Sequence, residues 1–71
     1  MTRLMRLKEV IEATGLSRPT IYKWMALGLF PIPVHLGERA VAWVSDETEA
    51  WILERIEDRD SLLREISEMV G

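Results

Sequence analysis

Thr14-Gly15-Leu16-Ser17-Arg18-Pro19-Thr20-Ile21-Tyr22-Lys23 is the stretch on which the fold turns. Glycine enters the left-handed conformation at the end of a helix at little cost, so Thr14-Gly15 marks a C-terminus. Upstream, Leu7, Val10 and Ile11 share one face of a helix predicted from Leu7 to Ala13. Ser17 stands where a hydroxyl is wanted to accept from the free N–H groups that open a second helix. Pro19 falls in that helix's first turn, where its missing N–H removes no hydrogen bond. The second helix is predicted over about Arg18 to Leu27, with Ile21, Trp24 and Met25 inward and Gly28 closing it.

Two short helices joined in this way fit a helix-turn-helix unit, whose second helix enters the DNA major groove. Val10, Leu16, Ile21 and Trp24 form the apolar set that locks such a pair at a steep angle. Arg18, Thr20, Tyr22 and Lys23 are left on or near the outer face, just after the capping Ser17. An arginine can grip guanine O6 and N7 with two hydrogen bonds, and a threonine offers a hydroxyl or a methyl to a base edge. Arg18 and Thr20 are therefore expected at bases, and Lys23, one turn on, at phosphate. The competing reading is an ordinary helical hairpin with solvated polar positions.

Beyond Gly28, Pro31 and Pro33 impose an extended path. Val34-His35-Leu36 and Ala40-Val41-Ala42-Trp43-Val44 are β-like runs flanking Gly37-Glu38-Arg39, a hairpin with an arginine at its tip. Placed directly after a helix-turn-helix, such a hairpin is a wing, with Arg39 near phosphates. Ser45-Asp46-Glu47 predicts a further helix, with a capping hydroxyl and two carboxylates at its positive end. Its inward face is Thr48, Trp51, Ile52 and Ile56. Leu62, Leu63, Ile66, Met69 and Val70 keep the helical period, but Asp58-Arg59-Asp60-Ser61 is polar all round. One long helix and two helices both fit.

The chain has 71 residues, 48% hydrophobic and 30% charged, enough for one small core and no second. There is no cysteine and a single histidine, His35, which excludes disulfides, thiolate–zinc sites and multi-histidine metal sites. No apolar run approaches the roughly 20 residues that span a bilayer, and the start has no signal-peptide core. A cytoplasmic chain with no membrane partner is expected. Net charge is −3, which by itself argues against a nucleic-acid partner. Residues 1–39, however, carry six basic groups against three acidic, and residues 40–71 three against nine. Phosphate responds to local potential, so a positive first half can still bind DNA.

Arg6-Leu7-Lys8-Glu9-Val10, Thr14-Gly15-Leu16-Ser17-Arg18 and Thr20-Ile21-Tyr22-Lys23 then come together with a further pattern. It runs Phe30-Pro31-x-Pro33-Val34-x-Leu36-Gly37-x-Arg39-x-x-x-Trp43 and ends on Glu47-x-x-x-Trp51-Ile52 with Arg55. In order and spacing these elements resemble the AlpA-type prophage regulators, small relatives of the MerR and excisionase winged-helix domains. The likeness covers about residues 6 to 59. It implies a mainly α winged helix-turn-helix with a small β-hairpin, binding double-stranded DNA of a prophage or integrated element. Activation of an integrase gene is the implied activity, and an excisionase-like architectural role in site-specific recombination is the alternative. Such a protein would be bacterial and nucleoid-associated. Pro19 departs from the serine or threonine frequent in the family, and the acidic tail after Arg59 is less characteristic.

The remaining residues point to structure. Trp24, Trp51 and Trp43 sit on helical apolar faces and the hairpin, as core anchors rather than stacking platforms for single-stranded bases. Phe30 is expected to pin its loop and His35 to be a plain strand residue. The carboxylates from Asp46 to Asp60 have no pocket near them and read as a solvated face. With no nucleophile elbow, phosphate loop or metal set, no catalytic, cofactor or metal residue is assigned, and an enzyme is not expected. The expected DNA-contact set is Ser17, Arg18, Thr20, Tyr22, Lys23 and Arg39. The expected division is a DNA-binding domain over 1–59 and a helical tail over 60–71. The tail's Leu62, Leu63, Ile66, Met69 and Val70 either complete the core, pair two chains, or dock on a recombinase. A third possibility for the whole chain is a protein-interaction module that kept the helix pair and lost DNA binding.

Overall fold

A computed structural model describes residues 1–70. The elements are β1 (Leu4–Met5), α1 (Leu7–Thr14), α2 (Arg18–Ala26), β2 (Val34–His35), β3 (Val41–Val44) and α3 (Ser45–Val70). Gly15 terminates α1 at φ 74°, its N–H donating to the Ile11 carbonyl, as the Thr14-Gly15 pair predicts. Ser17 opens α2 from an extended conformation, and its hydroxyl accepts from the Thr20 N–H. Pro19 lies in that first turn, and Gly28 follows the helix at φ 72°.

β2 and β3 form the expected antiparallel hairpin, Val34 opposite Ala42 and His35 opposite Val41. Leu36 N–H donates to the Ala40 carbonyl and narrows the turn that carries Arg39. The sheet has a third strand that the sequence pattern did not signal. β1 pairs with the other edge of β3, giving the order β1-β3-β2. Two hydrogen bonds extend that pairing into α3: Ser45 N–H donates to the Arg3 carbonyl, and Arg3 N–H to the Ser45 hydroxyl. The Ser45 hydroxyl, expected as a helix cap, is thus spent on holding β1.

The core gathers Met5, Val10, Ile21, Phe30 and Trp43, with Leu16, Trp24 and Trp51 packed against it half-buried. Trp43 is fully buried, and its indole N–H donates to the Pro31 carbonyl at 3.0 Å. Trp51 N–H donates to the Leu29 carbonyl at 2.8 Å. The two indoles thereby fix the prolyl loop that bridges α2 and the wing. The architecture is a winged helix-turn-helix with a three-stranded antiparallel sheet.

α3 is one continuous helix of 26 residues, which resolves the choice left at Asp58–Ser61. Thr48 is buried, and Trp51 and Ile52 half-buried, against the body. Ile56, expected inward, is 39% exposed, because the helix is running past the body by that turn. Leu62, Leu63, Ile66, Met69 and Val70 are exposed too, so they do not complete the core. Gly71, the last residue of the expected tail, lies outside the described residues. Among the described residues, no helix is long and apolar enough to cross a membrane.

Candidate nucleic-acid interface

α2 buries Ile21 and half-buries Trp24 and Met25, which turns the opposite side outward. With 3.6 residues per turn, Pro19, Lys23 and Ala26 occupy the middle of that outer side. Arg18 and Tyr22 lie on one flank and Thr20 on the other. Arg18, Tyr22 and Lys23 are exposed, whereas Thr20 is half-buried. Thr20 is also engaged locally: its N–H donates to the Ser17 hydroxyl, which itself donates to the Thr20 hydroxyl oxygen at 3.0 Å. Ser17 and Thr20 thus cap the helix and hold each other at its leading end.

The Arg18 guanidinium lies over the Tyr22 ring, 5.7 Å from its centroid. Tyr22 in turn meets the buried Trp43 edge-on at 6.4 Å. This stack runs from the core to the surface and holds Arg18 on the flank facing the wing. There a cleft of about 350 Å³ opens between α1, α2 and the hairpin, lined by Arg6, Leu7, Lys8, Arg18, Tyr22, Arg39 and Val41. The structure brings Arg18, Tyr22 and Arg39 together in it, while Lys23 projects from α2 outside it.

Arg6 and Lys8 were not among the residues expected at the interface. The available signal was their place in the positive half, but nothing local indicates that the wing folds back over the start of α1. That placement follows from the strand order, which sets β3 beside β1 immediately before Arg6. Opposite in character, α3 carries nine carboxylates against three arginines. Two of those arginines are turned toward the acids: Arg55 pairs with Asp58 at 3.5 Å and Arg59 with Asp60 at 3.0 Å. Arg55 also lies over the Trp51 ring at 4.8 Å.

A second groove, of about 530 Å³, runs between the prolyl loop and α3, and Glu47 and Glu54 stand in its lining. Its carboxylates make it a poor seat for a polyanion.

A family model described as "Prophage CP4-57 regulatory protein (AlpA)" matches residues 3–56. The chain is similar to the uncharacterized protein ORF88 of Enterobacteria phage P4, with 46% identity over 57 residues, 80% of this chain and 65% of that protein. It therefore spans a little under two thirds of that relative's length. It is also similar to the DNA-binding transcriptional activator AlpA of Escherichia coli (strain K12), with 36% identity over 59 residues, 75% of this chain and 84% of that protein. No solved structure matches.

Proposed function

The chain belongs to the AlpA family of prophage regulatory proteins, and from that membership we propose that it is a sequence-specific, double-stranded-DNA-binding transcriptional regulator of a prophage or integrated element. One observation carries the reading from family to residues. The outer side of α2 is solvent-exposed and flanked by a wing arginine, beside a cleft whose lining holds four cations and no carboxylate. The contact set is Ser17, Arg18, Thr20, Tyr22, Lys23 and Arg39, with α2 in the major groove and the wing beside it. The role is regulatory rather than enzymatic, exercised at the bacterial nucleoid in the cytoplasm.

The experiment is a gel-shift series against salt on duplex selected by the protein from a random-sequence pool. Neutralising three to five phosphates per chain gives a slope of log affinity on log salt of about −3 to −5. A slope near zero would remove the DNA-binding reading and leave a protein-interaction module.

The DNA-binding domain occupies 1–59 and the tail 60–71, and the partner of the tail is a second copy of the chain. Ile56, Leu63 and Val70 recur every seven residues, and Ile52, Arg59 and Ile66 alternate with them, the spacing of a two-helix seam with one arginine in it. Arg55 and Asp60 flank that stripe on opposite edges, five residues apart, where opposite charges meet across two parallel helices.

A further inference from the structure

We propose that the cleft between the start of α1, the flank of α2 and the wing seats one backbone phosphate of duplex DNA, held by Arg6, Lys8, Arg18 and Arg39. The proposal rests on the DNA-binding reading above and adds where the strand runs. It gives Arg6 and Lys8 a role, and it moves Arg18 from the bases to the backbone.

Charge pairing supplies the first reason. Twelve acidic residues face nine basic ones in this chain, so carboxylates are in excess. Arg3, Arg55 and Arg59 each have a carboxylate partner. The four cations of the cleft come from three separate parts of the chain, and no carboxylate lines it. Like charges crowded on a concave surface repel, and the focused field favours an anion there. Arginine matches phosphate oxygens with paired N–H donors, and lysine adds a point charge.

Shape supplies the second. Base edges form the floor of a groove and are met by a convex probe such as a helix. A cleft walled on both sides by protein receives a convex ridge instead, which on duplex DNA is the sugar–phosphate backbone. Arg18 points to that cleft because of its phase on α2 and its seat on the Tyr22 ring. The middle of the outer side, Pro19 and Lys23, is left to face the groove.

The test compares full-length wild type with the Arg6→Gln/Lys8→Gln double variant on the pool-selected duplex. The readouts are a salt series, base preference and phosphate-ethylation interference. The expected result is a salt slope flatter by about one unit in the double variant, with base preference unchanged. Interference should be lost at one phosphate position and kept elsewhere. Arg6→Lys/Lys8→Arg should restore the wild-type slope, which separates a charge effect from a folding defect. Arg18→Ala should likewise weaken binding uniformly across sequences. A double variant with the wild-type slope and interference pattern would overturn the cleft and leave DNA binding standing. So would relaxed preference at a base pair in Arg18→Ala. Wild type without salt-dependent binding would overturn both.

Discussion

Trp43 and Trp51 do similar work in different surroundings, and the difference is measurable. Each indole N–H donates to a carbonyl of the prolyl loop, Trp43 to Pro31 and Trp51 to Leu29. Trp43 is fully buried, so Trp43→Phe leaves the Pro31 carbonyl without its donor and opens space beside Ile21 and Met5. A cost of about 2–4 kcal/mol is expected. Trp51 is half-buried, and water can replace its donor, so Trp51→Phe should cost about 1 kcal/mol or less. Urea unfolding of both variants checks the order, and equal costs would show that the two hydrogen bonds are equally sealed. That all three tryptophans pack as anchors was legible, because two fall on a helical period and one on a strand. Their hydrogen bonds were not, since they join positions 12 and 22 residues apart that no periodicity connects.

The helix-turn-helix was the most legible element because each of its boundaries has a local chemical cause. Gly15 needs the left-handed conformation and Ser17 supplies a cap, both independent of the rest of the chain. Ser17→Ala should therefore destabilise the fold by about 1 kcal/mol, read in the same urea titration. An unchanged midpoint would mean that water caps α2 equally well. β1 was illegible for the opposite reason: two residues, Leu4 and Met5, are too few to show alternation. Its position depends on the Ser45 bonds and on the Arg3–Glu9 ion pair at 2.7 Å, which ties the strand to α1. The Arg3 guanidinium, donating to Glu9, holds that carboxyl below the usual carboxylate range, helped by the Arg6 N–H. A carboxyl depressed in the folded state stabilises while it is ionised. Its contribution is present above the ordinary carboxylate range and is lost as pH falls through the depressed value. Wild type should thus melt above Glu9→Gln at neutral pH, and the gap should close below about pH 4. A gap that widened in acid would contradict the pairing.

The whole molecule is longer than a domain of its size has to be. Its radius of gyration is 15.1 Å and its extents are 55 × 28 × 19 Å, against roughly 11 Å of gyration for a compact chain of this length. The excess is α3, whose 26 residues span about 39 Å and run past the body. The charge asymmetry that places cations at the cleft and acids on α3 was legible from the two halves. Continuity of α3 was not, because Asp58–Ser61 is polar on every side, and helix passes through it with no Gly or Pro to break it and with the i,i+3 Arg55–Asp58 pair in its favour. Once continuous, the helix carries Ile56, Leu63, Ile66 and Val70 along the same side that Thr48 and Ile52 press into the body. That side is covered for two turns and then bare. Two chains joined along it in parallel place their bodies at one end and present two α2 helices to one duplex. Half-sites about 34 Å apart, or a multiple of it, follow. Leu63→Glu/Ile66→Glu should convert a dimer to a monomer in sedimentation while leaving the monomer folded by circular dichroism, since both residues are exposed. Binding to a single half-site should persist, and the gain from adding a second half-site should disappear. A wild type that sediments as a monomer with and without a two-site duplex would overturn self-pairing. Capture of a recombinase by the same stripe, lost in the double variant, would then identify the other occupant.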